Sequence, residues 1–224
     1  MDERVKRIGI IAVAGVLLAV FAYAGYGAYQ KRELRARVVD AVAKASRQLD
    51  ETLVIDVIAP PAAIAGRLEA GVARSEELLQ QLRALAARRD PDLVEAADPY
   101  VASVLEVLRR QAGAVRYRAR FVEDREALKE HMARVGTRSE NWAAEAIRLK
   151  KQLEQDNFDY QLTVASLGNM LAGLLDARRK IEAQLPAVAL PEEAALVRAR
   201  ERSLAAAGTA KQELENARRL VPPG

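Results

Sequence analysis

Between Trp142 and Leu185 the chain carries one unbroken stripe at helical spacing. It reads Trp142, Ala146, Leu149, Leu153, Asn157, Tyr160, Val164, Leu167, Leu171, Leu174, Arg178, Ile181 and Leu185. Steps of four and three alternate, which holds these positions on one face of an α-helix. Two successive steps of four around Leu153 make a stutter, which locally unwinds a left-handed supercoil. A helix of this length runs roughly 70 Å at 1.5 Å per residue. Its stripe has to be covered by a neighbouring helix, as in a coiled coil.

The rest of the chain has the same character. It is crowded with Ala, Leu, Arg and Glu, whose side chains lose little freedom on a helix. Only 4% of residues are aromatic, and no strand pattern of useful length occurs. The expected fold class is all-α: an N-terminal single transmembrane helix, then an elongated antiparallel helical bundle with coiled-coil-like long helices.

The transmembrane expectation rests on residues 8–29, IGIIAVAGVLLAVFAYAGYGAY, a run of 22 residues without a charge. About 20 are needed to cross a bilayer core as helix. Ile8, Ile11, Val16, Leu17, Leu18 and Phe21 would face lipid. Tyr26 and Tyr29, with Tyr23, stand at the end where amphipathic rings prefer the headgroup region. Ala22-Tyr23-Ala24 also fits a signal-peptide cleavage site, but Asp2 and Glu3 weaken the basic n-region and the apolar run continues past the site. The expectation is therefore an uncleaved signal-anchor. Gly15 and Ala19 offer a small-x-x-x-small surface through which helices of a homo-oligomer would pair.

Basic residues lie on both sides of this segment: Arg4, Lys6 and Arg7 before it, and Lys31, Arg32, Arg35, Arg37, Lys44 and Arg47 after it. Read literally, the positive-inside rule puts the bulk of the chain in the cytoplasm. The short basic tail and the ability of long C-terminal domains to be exported favour a periplasmic or other extracytoplasmic placement, with the cytoplasmic one as the alternative.

Turn signals then divide the chain. Residues 1–7 are a basic tail, 8–29 the anchor and 30–58 a juxtamembrane helix with the stripe Leu34, Val38, Val42, Ala45, Leu49 and Leu53. Pro60-Pro61 ends it, because two prolines cannot continue a helix. Residues 62–221 are the bundle, with helices over about 62–88, 92–135, 138–185 and 192–220. Asp90-Pro91 is a helix start, Gly136 a C-cap and Thr137 to Glu140 a capping box. The last helix presents Leu196, Leu204, Ala207, Leu214 and Val221. Short links between long helices imply antiparallel neighbours, so the third and fourth form a hairpin with the second and fifth alongside.

Chemistry-bearing patterns are sparse. Cysteine is absent, which removes disulfides and thiolate sites. His131 is the only histidine, with Glu126 and Glu130 near it, and a metal site needs more ligands at suitable spacing. The di-iron Glu-x-x-His pattern fails because Leu128 occupies the glutamate position. Arg109, Arg110, Arg116, Arg118 and Arg120, with Tyr117 and Phe121, make the third helix locally basic. They point around the helix, and 35 basic residues are balanced by 31 acidic ones, so no nucleic-acid partner is expected. No phosphate-binding loop or nucleophile elbow occurs, and neither a cofactor nor enzymatic activity is expected.

Two residues stand out as contacts for a partner or for register. Asn157 is a polar residue in an apolar stripe, a device that sets register in coiled coils. Trp142 starts that stripe near the hairpin tip. The functional expectation is a membrane-anchored scaffold, tether or envelope-complex subunit that offers its bundle to other proteins. The alternative is a ligand-binding or sensory bundle acting through a partner. A third reading, a membrane-active protein, rests on the apolar stretch Leu162 to Leu175.

Overall fold

Proline and polar turns set where the helices stop. A computed structural model describes the backbone of residues 3–60, 64–86, 91–134 and 140–219 and, within these, side chains from residue 23 onward except 24, 86, 91, 92 and 140. Among the described residues five helices follow one another: α1 (Glu3–Leu53), α2 (Ile64–Ala86), α3 (Pro91–Ala133), α4 (Glu140–Gln184) and α5 (Glu193–Arg218). Among the described residues there is no strand. The expected cap at Asp90, the C-cap at Gly136 and the Thr137 end of the capping box lie outside the described residues.

The helices run up and down alternately, as their cross-links show. Arg83 meets Asp98 and Arg109 meets Glu76, so α2 and α3 are antiparallel. Asn157 meets Ala210 and Ser203 meets Val164, so α4 and α5 are antiparallel too. Ser46 meets Tyr100 and Gln111 meets Thr52, so α1 and α3 run parallel. The α3–α4 hairpin is the spine; α2 packs on α3 and α5 on α4.

The stripe from Leu34 to Leu53 is buried without exception. These residues join Tyr100, Val104, Leu108, Tyr160, Leu167, Leu171 and Leu196 in the main core. Residues 30–53, expected within a juxtamembrane helix (30–58) outside the 62–221 bundle, pack into its core. That helix also stops at Leu53 rather than 58. The Asp56 carboxylate accepts the Ile58 N–H at 2.8 Å, a local turn that competes with helix just ahead of Pro60.

A second core cluster lies further along the hairpin: Phe121, Leu128, Leu149, Leu153, Leu214 and Ala217, from α3, α4 and α5 alone. Beyond it, His131 and Trp142 join only α3 and α4. The bundle therefore tapers from five helices to three and then two.

On α5 the buried face is Leu196, Ala199, Ser203, Ala206, Ala210, Leu214 and Ala217. Leu204, expected inward, is 46% exposed and Ala207 is half-buried, while Val221 lies outside the described residues. Small residues let α5 lie close to α4, and the large side chain is displaced to the margin.

Among the described residues no helix is long and apolar enough to cross a membrane. From residue 31 onward α1 carries charges at every turn. The expected span falls mostly elsewhere: the side chains of Ile8, Ile11, Val16, Leu17, Leu18 and Phe21 lie outside the described set. Tyr26 and Tyr29 are described, and both are exposed.

Candidate interaction site

The last four carbonyls of an α-helix have no partner within it. At the end of α1 other helices supply the missing donors. Gln111 of α3 donates to the Thr52 carbonyl at 3.3 Å, and the Arg202 guanidinium of α5 donates to that of Leu53. The connection that follows is held in the same manner. Tyr160 of α4 donates its hydroxyl to the Val57 carbonyl at 2.7 Å, and Arg118 of α3 donates through Nε to Ile58 at 2.6 Å. Three helices thus bind the backbone where α1 turns away.

Arg118 is the centre of this knot. Its two terminal nitrogens reach Glu213 of α5 at 2.5 and 3.0 Å, a bidentate pair. Its guanidinium carbon lies 5.4 Å from the Phe121 ring centre and 5.8 Å from that of Tyr160, within cation–π range. Burial disfavours the charged guanidinium, but the Glu213 carboxylate outweighs it and holds Arg118 above its ordinary value. In return the hydrogen bond from Arg118 draws Glu213 below the usual carboxylate range. Burial pushes the Tyr160 hydroxyl up to about 12. Tyr100, buried against the Ser46 hydroxyl at 2.8 Å, rises to about 12 for the same reason.

By sequence Arg118 is one of five arginines that point around α3 rather than to one face. The buried positions are Gln111, Ala114, Val115, Arg118 and Phe121, and Ala119 is exposed. The larger Phe121, not Val122, faces fully inward, and that choice rotates Arg118 into the core. The available signal was the competing stripe through Phe121, with Arg118 three residues before it.

Asn157 is wholly buried. Its Nδ2 donates to the Ala210 carbonyl at 2.9 Å, and its Oδ1 accepts from Gln161. It ties α4 to α5 at the stutter. Arg178 donates to the Pro191 carbonyl at 2.7 Å and pairs with Glu182. Trp142 is half-buried and stacks on His131, with ring centres 5.2 Å apart and planes 17° from parallel. Its Nε1 donates to the His131 carbonyl at 3.3 Å, while the His131 Nε2 lies 2.9 Å from the Trp142 carbonyl. Asn157 and Trp142 are therefore not brought together: one joins α4 to α5, the other closes the end of the hairpin.

Among the described residues no group of three or more His, Asp or Glu side chains is placed to hold a metal ion. The apolar stretch Leu162 to Leu175 supplies Val164, Leu167, Leu171 and Leu174 to the core, so packing accounts for its hydrophobicity. Its outer side is different: Leu162, with Phe158 one turn before it, is exposed. Comparison with protein-family models, with curated proteins and with solved structures finds no match for this chain.

Proposed function

We propose that the protein is a membrane-tethered scaffold, held by residues 8–29 and presenting the α3–α4 hairpin to other proteins away from the bilayer. The observation that carries this reading is the continuity of α1. One helix runs from Glu3 to Leu53, and its C-terminal part is built into the core. An apolar segment at its start would then be the base of a rigid rod, not a flexible leash. The knot around Arg118 supports the same reading, because it binds the end of that rod to α3, α4 and α5.

In this reading the bundle stands outside the cytoplasm, and protein partners, including further copies of the chain, meet it along its length. Carbonate washing of membranes tests the tether. The full chain should stay in the membrane pellet with its first tryptic peptides intact. Release into the wash with residues 1–24 missing would refute it. Protease added to sealed right-side-out membranes should degrade the bundle; protection there would place it in the cytoplasm instead.

A second reading, a ligand-binding bundle, draws on a groove of about 350 Å³ between α1 and α2, bordered by Gln48, Glu51, Arg67, Gly71 and Arg74. A compound that binds the folded state there would raise the melting temperature with the logarithm of its concentration once that exceeds its Kd.

A further inference from the structure

Asp124 of α3 and Asp156 of α4 line one cavity between the two helices, close enough for each carboxyl to act on the other. Asp156 is only 8% exposed, and Oδ2 of Asp124 is shielded from solvent with no donor directed at it. Two ionised carboxylates in contact repel, and a shielded anionic oxygen without a donor is costly. One proton held between the two groups removes both penalties, since a protonated carboxyl donates and an ionised one accepts.

The surroundings do not neutralise the pair by other means. Both aspartates border a cavity of about 420 Å³ with Arg120, Glu123, Gln152 and Gln155. From α3 the charged groups are Arg120 and Glu123, and from α4 they include Arg148; α5 adds none to this lining. Arg148 is engaged by both oxygens of Glu145 at 2.7 and 2.8 Å. Arg120 lies over the Tyr117 ring, 6.0 Å from its centre. Among the described residues neither aspartate has an ion pair. Burial first, then the hydrogen bond and charge of Asp156, push Asp124 up to about 7, with Glu123 adding and Arg148 opposing.

We propose that Asp124 and Asp156 form a proton-dependent clasp, which fastens α3 to α4 in the tapered part of the bundle and releases as the medium turns alkaline. The folded chain holds a proton that the unfolded chain gives up near the ordinary aspartate value of 3.8. Stability from the clasp is therefore complete below that value. It declines as pH rises towards 7, and above 7 the loss is complete.

Melting of the full detergent-solubilised chain, compared with Asp124→Asn and Asp156→Asn, tests this directly. Each amide keeps a donor and removes one titrating group. The native chain should lose several degrees of melting temperature relative to both variants between pH 5 and 8. A difference that stays constant over that range for both variants overturns the proposal. Hydrogen exchange, corrected for base catalysis, gives the local readout. Amides of residues 121–133 and 141–153 should open about tenfold more often at pH 8 than at pH 6 in the native chain, with no such change in Asp156→Asn. Equal opening at both pH values in the native chain would also overturn it.

Discussion

Replacing Arg118 by leucine deprives the Ile58 carbonyl and the Glu213 carboxylate of their donors in one step. Breaking a buried ion pair from one side costs about 3–5 kcal/mol. Glu213 keeps about a quarter of its side chain in solvent and has Arg125 at 3.7 Å, so the cost here falls to about 2–3 kcal/mol. Glu213→Leu should cost a similar amount, because it strands a cation that is more deeply buried than its partner. The double variant Arg118→Leu with Glu213→Leu should recover at least half of the summed loss, since neither charge is then left alone. Urea denaturation of the four chains closes the cycle; losses that simply add would show that the pair is not coupled. None of this pairing was legible in the sequence. Arg118 sits among four other arginines within twelve residues, and Glu213 is 95 positions away. A local pattern shows which residues share a helix face, but not which acid on a distant helix meets them. Asn157 was legible for the opposite reason: a polar residue in an otherwise apolar stripe is conspicuous without knowledge of its partner.

The helices differ in how well they declare their buried faces. In α1 and α4 the stripe is made mostly of leucine and valine, with enough apolar area to mark the face, and those leucines and valines are buried. In α5 alanine and serine do the burying, and alanine carries too little hydrophobic contrast to outweigh Leu204 in a pattern. The close approach that favours small residues is visible at Gly168, where an added Cβ would stand 3.0 Å from Leu204 Cδ2 and 3.3 Å from its Cγ. Around Gly173 and Gly208 nothing lies within 4 Å of such an atom. Glycine inside a helix is less stable than alanine by roughly 0.5–1 kcal/mol. Gly173→Ala and Gly208→Ala should therefore each stabilise the chain by about that amount. Gly168→Ala should gain less than either, because the half-exposed Leu204 has to rotate away. Denaturant midpoints of the three variants rank them, and a full gain at Gly168 would mean that α5 is not held close to α4 there.

At the scale of the molecule the question is where the folded unit begins. Reading turn signals alone puts a boundary at the double proline, leaving 62–221 as the bundle and 30–58 as a connecting helix. The packing assigns Leu34, Val38, Val42, Ala45, Leu49 and Leu53 to the main core, and Ser46 to the buried hydroxyl of Tyr100. Proline marks a break in a helix, but it carries no information about whether the two sides fold together. Burying a large apolar side chain contributes roughly 1.5–3 kcal/mol, so this segment supplies on the order of 10 kcal/mol. That is comparable to the whole net stability of an ordinary domain, about 5–15 kcal/mol. Two truncations separate the possibilities. A chain beginning at residue 30 lacks the apolar run and retains every α1 core residue, so it should be soluble, helical by circular dichroism and cooperative on heating. A chain beginning at residue 62 exposes the surface that α1 covers and leaves Gln111, Arg118, Tyr160 and Arg202 without the carbonyls they bind. It should keep much of its helical signal, bind a hydrophobic dye and melt without a sharp transition, as a loosely packed state does. Cooperative melting of the shorter chain at the same temperature as the longer one would show that α1 is a separable stalk. The rod joining a membrane base to the hairpin would then have lost its structural basis.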